Sequence, residues 1–268
     1  MNTIVFIGGG NMASAIIGGL LKSGRPAGSV IVVEPFDAQR DKLRAEFGVH
    51  ALEAADASLA QATLVVWAVK PQSFRAAAAP CAPHVAGGLH LSVMAGIRSS
   101  AIARATGTQR VVRAMPNTPA LIGQGIAGLY AHESVTPQER AEVEAVLAPT
   151  GRTLWVAQEA DLDTVTALSG SGPAYVFYFV EAMVQAAQEM GLSAEQGKQL
   201  ALATFGGATA LALASNDPPE LLRERVTSKG GTTHAALVSL EASGVKAALI
   251  KALKVAQLRA HELGDEFG

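Results

Sequence analysis

The sequence predicts an α/β fold: a doubly wound sheet in the N-terminal half, followed by an all-α C-terminal half. Two observations carry this. Over the first half, short β-branched runs alternate with helical periods; beyond about residue 158 only helical periods remain. The expected division is therefore 1–158 and 159–268.

Taken in order, Thr3–Ile7 reads as a buried strand, Asn11–Leu21 as a helix, and Val30–Val33 as a second strand. Asp37–Phe47 reads as a polar-faced helix capped by Asp37. Leu64–Val69 is a third strand, stopped by Lys70-Pro71. Leu89–Val93 and Arg110–Met115 are further strands, with helices near Ser73–Ala79 and Ser99–Ala105. Gly125–Tyr130 and Thr153–Val156 complete the sheet. Between them Thr136-Pro137-Gln138-Glu139 announces a helix by its cap, its first-turn proline and its returning glutamate. The later helices are Tyr175–Met190, Ala194–Ala214, Pro219–Arg225, Thr232–Glu241 and Val245–Leu263. In the last, Val245, Leu249, Leu253 and Ala256 form one stripe.

Composition excludes several classes. Of 268 residues 49% are hydrophobic, which supports a sizeable core. With 21 basic against 23 acidic residues the net charge is −2, a poor match to nucleic acid, where phosphate neutralisation supplies the affinity. The lone cysteine, Cys81, excludes a disulfide framework and a multi-Cys metal site, and fits a reducing, cytoplasmic compartment. It reads as a passive thiol. No His-x-x-x-His or carboxylate cluster points to metal. The first residues lack a basic n-region, so no signal peptide is expected. Two long uncharged stretches, between Asp163 and Glu181 and between Lys198 and Asp217, approach the length of a membrane span. Their Ser, Gly, Pro, Thr and Gln residues favour helices buried in protein instead.

Gly8-Gly9-Gly10-Asn11-Met12-Ala13 matches G-x-G-x-x-A, follows a strand and opens a helix, the context of a Rossmann dinucleotide-binding domain. Gly8 permits the tight turn, Gly10 lets backbone approach a pyrophosphate, and Ala13 allows close helix–strand packing. The amides opening the helix would meet the phosphates. Glu34, 21 residues after Ala13, stands where a carboxylate binds the ribose diol of NAD; the nearest arginine, Arg40, lies a turn into the next helix. Ala68-Val69-Lys70-Pro71, Ala95-Gly96 and Asn117 follow later strands, at the sheet edge where such ligands bind.

Two glycine-rich islands interrupt the C-terminal helices. Leu168–Tyr175 reads as a capped helix start and lacks the G-x-S-x-G of a hydrolase elbow. Val226–Thr233 ends in Gly230-Gly231-Thr232-Thr233 before a helix, a run whose converging amides suit an anion. At Gly8–Ala13, Ala68–Pro71, Met115–Pro119, Leu168–Tyr175 and above all Val226–Thr233 the chain resembles the pyrroline-5-carboxylate reductase family, over essentially its whole length.

That resemblance implies a Rossmann domain followed by a helical substrate-binding and dimerisation domain. It implies reduction of 1-pyrroline-5-carboxylate to L-proline with NADPH or NADH, the last step of proline biosynthesis. It also implies a homodimer with interleaved C-terminal helices, in many members stacked into larger rings such as a decamer. No membrane or nucleic-acid partner is expected. Within it, Gly231, Thr232 and Thr233 would hold the substrate carboxylate beside Gly230, Ser228 would shape the loop, and the Thr233 hydroxyl would serve the ring nitrogen as donor or relay. Glu159 matches a position near that nitrogen, where negative charge favours the iminium. His234 reads as a partner for a neighbouring helix, and Asp161 and Asp163 as a solvated helix start. Members often carry polar or basic residues after the second strand; Glu34-Pro35-Phe36 departs from this and opens the coenzyme preference. Two rivals are a related imine or 3-hydroxy acid dehydrogenase and a non-catalytic dinucleotide sensor. The absence of lysine between Asp163 and Glu181 counts against the hydroxy acid enzymes, and the intact Gly230–Thr233 run against the sensor.

Overall fold

The structure is a computed structural model, and residues 2–267 are described. Its strands are β1 (Thr3–Ile7), β2 (Val30–Val33), β3 (His50–Leu52), β4 (Ala62–Trp67), β5 (Leu89–Ser92), β6 (Val111–Met115), β7 (Gly125–Ala131) and β8 (Gly151–Trp155). They form one sheet in the order β3-β2-β1-β4-β5-β6-β7-β8. All neighbours run parallel except β6 and β7, which are antiparallel. The strand order reverses beside β1, which makes that edge the ligand crevice of a doubly wound sheet.

Alternate residues of the central strands feed two cores. Ile4, Phe6, Val30, Val32, Leu64 and Val66 pack with Ile16, Ile17 and Leu20 of α1 (Asn11–Lys22). Val5, Ile7, Ile31, Val33, Val65 and Trp67 pack with Phe74, Ala78 and Cys81 of α3 (Phe74–Val85) and Ile102 of α4 (Ser99–Thr106). Both faces are covered, which is why these strands read as continuous apolar runs. Each fully buried aliphatic side chain contributes about 1.5–3 kcal/mol.

Several expectations shift. The helix after β2, α2 (Asp37–Phe47), has Asp37 as its first helical residue, and Phe36 holds the cap position without a side-chain bond. The strand expected at Leu64–Val69 starts and ends two residues earlier, and the three-residue β3 was not foreseen. α3 runs on to Val85 through Pro80 and Pro83. Both prolines are exposed while Phe74, Ala78, Cys81 and Val85 are buried, so core packing on one face offsets the lost bonds on the other. The foreseen capping box at Thr136 and Glu139 opens α5 (Pro137–Leu147). Asp163, expected solvated, is buried in α6 (Asp161–Val165).

The second core hides one histidine, bonded to its members Trp67 and Val85. His90 is fully buried; its Nδ1 accepts from Trp67 Nε1 at 2.9 Å and its Nε2 donates to the Val85 carbonyl at 3.2 Å. Burial pushes its pKa down from 6.5 to about 4 against the opposing Val85 bond, with Arg110 adding to the fall. The unfolded chain therefore binds the proton first, so this group's contribution is complete above pH 6.5 and is lost as the pH falls towards 4. The unsubstituted protein is expected to lose about 3 kcal/mol more than His90→Asn across that window, measured by chemical denaturation.

The described chain falls into two compact units: residues up to Ser171 together with those from Ala256 onwards, and Gly172–Val255. The second unit holds α7 (Gly172–Glu189), α8 (Ala194–Leu213), α9 (Pro219–Arg225), α10 (Thr232–Ala242) and the start of α11 (Val245–Phe267). α7 and α8 pack closely because Gly197 lies on Val184 and Ala187; a Cβ there would stand 2.7 Å from the Ala187 methyl. The other faces stay apolar and open. Phe177, Tyr178, Leu211, Leu213 and Val238 are exposed, and α10 buries no residue. No described helix is long and apolar enough to cross a membrane.

Candidate functional site

The first unit holds a cleft of about 810 Å³ along the carboxyl ends of β1, β2 and β4. Of the sequence-predicted coenzyme residues, Gly8, Gly10, Glu34, Ala68, Val69 and Lys70 line it. Gly8 has φ +95°, and a Cβ there would stand 2.8 Å from the Ala68 carbonyl oxygen, so only glycine makes this turn. Gly10 is the opposite case: an added Cβ meets nothing within 4 Å, and the backbone is bare. The first helical bond of α1 runs from the Ser14 amide to the Gly10 carbonyl, which leaves the Asn11, Met12 and Ala13 amides without helical acceptors. A bare glycine beside open helix amides fits the pyrophosphate of a dinucleotide.

Glu34 is buried, with both oxygens engaged: Oε2 accepts from the Gly9 amide at 2.9 Å and Oε1 from the Phe36 amide at 3.1 Å. Gln39 holds the same loop by donating to the Gly9 carbonyl. Arg40 is turned inward, donating to the Glu34 carbonyl at 2.8 Å and pairing with Asp37 and Glu53. The sequence missed much of the wall, including Phe36, Gln39, Ala55 and Ala77. Small residues on α3 carry no chemical signal, and only the fold brings them to the crevice. Cys81 lies at the same wall, its thiol pushed up to about 11 by burial, an inert group at neutral pH.

Asn11, Met12, Ala13, Pro71, Ala95, Gly96 and Asn117 are not part of this cleft wall. Ala13 is wholly buried in the core. Asn117 Oδ1 accepts from the Ile126 amide at 3.0 Å, which pins the start of β7. Ala95 and Gly96 lie in the loop leaving β5. Met115, at the end of β6, meets Gly170: a Cβ on that glycine would lie 2.7 Å from Met115 Cε. Two motif segments distant in sequence are thus neighbours. Gly170 closes a π-helical turn, Thr166–Gly170, a form frequent at functional places.

Glu159 was expected beside the substrate nitrogen. Its Oε1 accepts from the Ser99 amide at 2.6 Å and from Arg113 Nη1 at 2.8 Å, and its Oε2 from the Ser99 hydroxyl at 2.8 Å. Burial alone would raise its carboxyl; the Ser99 amide, Arg113 and the Ser99 hydroxyl outweigh that and hold its pKa below the ordinary 4.5. Its carboxylate is committed to the start of α4. Among the described residues no group of three or more His, Cys, Asp or Glu side chains is placed to hold a metal.

In the second unit, Ser228–Gly231 forms a tight turn, closed by the Gly231 amide donating to the Ser228 carbonyl at 3.0 Å. Gly230 sits at φ +78°, which makes glycine the residue for that corner. Gly231 caps α10, whose first helical bond joins the Ala235 amide to the Gly231 carbonyl. The Thr232, Thr233 and His234 amides therefore have no helical acceptors, and Thr232 and Thr233 are exposed. The Gly231 amide, expected to join Thr232 and Thr233 in an anion cradle, is spent inside the turn, so the open amides begin one residue later. Its open amides carry partial positive charge suited to a carboxylate.

The comparisons agree with both halves. Residues 159–263 match the family described as pyrroline-5-carboxylate reductase dimerisation, and residues 3–96 match one described as NADP oxidoreductase, coenzyme F420-dependent. A pyrroline-5-carboxylate reductase of Pseudomonas aeruginosa is 42% identical over 267 residues, covering 99% of this chain and 98% of the relative. A solved pyrroline-5-carboxylate reductase from Coxiella burnetii superposes with TM-score 0.90 at 35% identity, over 98% of both chains. The Plasmodium falciparum pyrroline carboxylate reductase, solved with NADP bound, superposes with TM-score 0.86 at 26% identity, again over 98% of each chain.

Proposed function

The chain belongs to the pyrroline-5-carboxylate reductase family and reduces 1-pyrroline-5-carboxylate to L-proline with NAD(P)H, and we propose that residues 1–158 hold the coenzyme while 159–268 bind substrate and dimerise. The observation that carries the coenzyme half is the bare Gly10 backbone beside the open α1 amides. NAD(P)H, when bound, supplies the hydride for the ring imine carbon.

The chain's own residues bind, orient and donate. The Thr232, Thr233 and His234 amides hold the substrate carboxylate, and Gly230 and Ser228 shape the turn that presents them. The Thr233 hydroxyl donates to the ring nitrogen, which makes the imine carbon a better acceptor. Glu159 acts by holding the start of α4. The rim of the cleft carries Glu34 and Glu53, Arg40 is already engaged by carboxylates, and among the described residues lining the cleft there is no arginine for a 2′-phosphate. With 1-pyrroline-5-carboxylate as substrate, oxidation of NADH by the purified protein is expected to match or exceed that of NADPH in kcat/KM. No substrate-dependent oxidation of either coenzyme would overturn the function, whereas a large NADPH preference would overturn only the reading of Glu34.

The protein is a homo-oligomer by family. Apolar faces on α7, α8 and α10 support a dimer through those helices, with dimers stacked into a decamer. The balanced charge supports a small-molecule partner without nucleic acid, and the single cysteine supports a cytoplasmic location.

A further inference from the structure

The end of α11 lies against the loop that leaves β5. Gly96, in that loop at φ +72°, sits under Leu263: a Cβ there would stand 3.2 Å from the Leu263 carbonyl oxygen. Gly264 in turn sits under Arg98. A Cβ on it would stand 2.5, 2.7 and 2.8 Å from Nη2, Cζ and Nε, so the guanidinium lies flat on the helix backbone. Arg98 is then held from three sides. Its Nη1 is 3.7 Å from Asp163 of α6, and its Nη2 is 3.5 Å from Asp265 and 3.5 Å from the His261 carbonyl. His261 Nδ1 stands 3.2 Å from Asp163. Phe267 packs on the core beneath α3 and α4, and Gln257 donates to Thr164 at 2.7 Å.

This joint lies beside the cleft. The Val93 amide donates to the Trp67 carbonyl, so the chain leaves β5 next to Ala68 and Val69, which line the crevice. From there only Met94 precedes Ala95-Gly96, and Arg98 follows two residues later.

We propose that the last turns of α11 position the Ala95–Gly96 loop for the coenzyme, with Arg98 and Gly264 as the positioning pair. The inference rests on the coenzyme reading of the cleft and on the sequence expectation that this loop, which stands beside the cleft wall and not in it, meets the coenzyme. A helix end with no coenzyme-binding motif of its own thereby sets coenzyme affinity. Glycine at 264 is explained by the space the guanidinium needs, since alanine is the better helix former by about 1 kcal/mol.

Gly264→Ala pushes away only the flexible tip of Arg98, and Arg98→Met removes the guanidinium directly. In fluorescence titration of NAD(P)H, each is expected to raise the Kd on the order of threefold to tenfold, with kcat at saturating coenzyme kept within about twofold. Hydrogen exchange of the 94–98 amides in the coenzyme-free protein is expected to quicken in both. The double variant should be no worse than Arg98→Met alone, because both changes break one contact. An unchanged Kd in both variants overturns the proposal, whether or not Tm, kcat or exchange has moved. If the unsubstituted protein itself fails to bind NAD(P)H, the coenzyme reading falls with it; if it binds and the variants bind equally, only this inference falls.

Discussion

Replacing Thr233 by valine is expected to lower kcat/KM for 1-pyrroline-5-carboxylate on the order of 10²-fold, the usual cost of losing one positioned donor to developing charge. Valine keeps the shape of the side chain and removes only the hydroxyl. Thr233→Ala should fall by the same factor, which separates polarity from packing. The backbone amides of Thr232, Thr233 and His234 survive both changes, so the proposed carboxylate binding is expected to persist and the loss to fall chiefly on kcat. Coenzyme Kd should stay unchanged, since the Gly8–Ala13 loop belongs to the other compact unit. Near-normal turnover in both variants would remove the hydroxyl from the catalytic set and leave the proton to water or to an already protonated substrate.

The second large effect is on stability. Arg113 is buried on β6, and Glu159 is its ion-pair partner at 2.8 Å; its Nε already lacks a hydrogen-bond partner among the described residues. Glu159→Ala leaves that guanidinium buried and uncompensated, which costs about 3–5 kcal/mol. In a chain of this size the Tm is expected to drop by roughly 10 °C. Arg113→Met added to Glu159→Ala should recover much of the loss, because removing both charges is far cheaper than orphaning one. Thermal unfolding of the two variants checks this; equal Tm values for Glu159→Ala and the unsubstituted protein would show the pair to be idle. The pH dependence has a definite sign. The folded pKa of Glu159 lies below 4.5, so its contribution is complete above that pH and disappears only on stronger acidification. That window lies below most of the one governed by His90.

Glu159 also shows how a residue can be legible in position and opaque in role. Its place at the start of the family's dimerisation segment could be read from the chain. Its partners Ser99 and Arg113 lie 60 and 46 residues away, on a helix and a strand whose approach no local pattern encodes. Asp163 went the same way. A carboxylate at a helix start reads as solvated, and only the return of α11 buries it beside Arg98 and His261. Glu34 was placed correctly at the crevice, yet its oxygens hold the Gly9 and Phe36 amides, a use visible only once the loop is folded.

By itself the sequence determined the alternating α/β half, the helical half and the glycine turn at Gly8–Gly10. It also determined the Gly230–Thr233 helix entry. These depend on side-chain period and on backbone conformations that only glycine adopts freely, and both are local properties. The tertiary structure alone decided the strand order, the antiparallel step at β7 and the helical run through Pro80 and Pro83. It alone put Met115 against Gly170, and Arg98 on Gly264. Those outcomes depend on which distant surfaces meet, where summed burial and ion pairing override local propensities of a fraction of a kcal/mol for most residues and about 3 kcal/mol for a helix-interior proline.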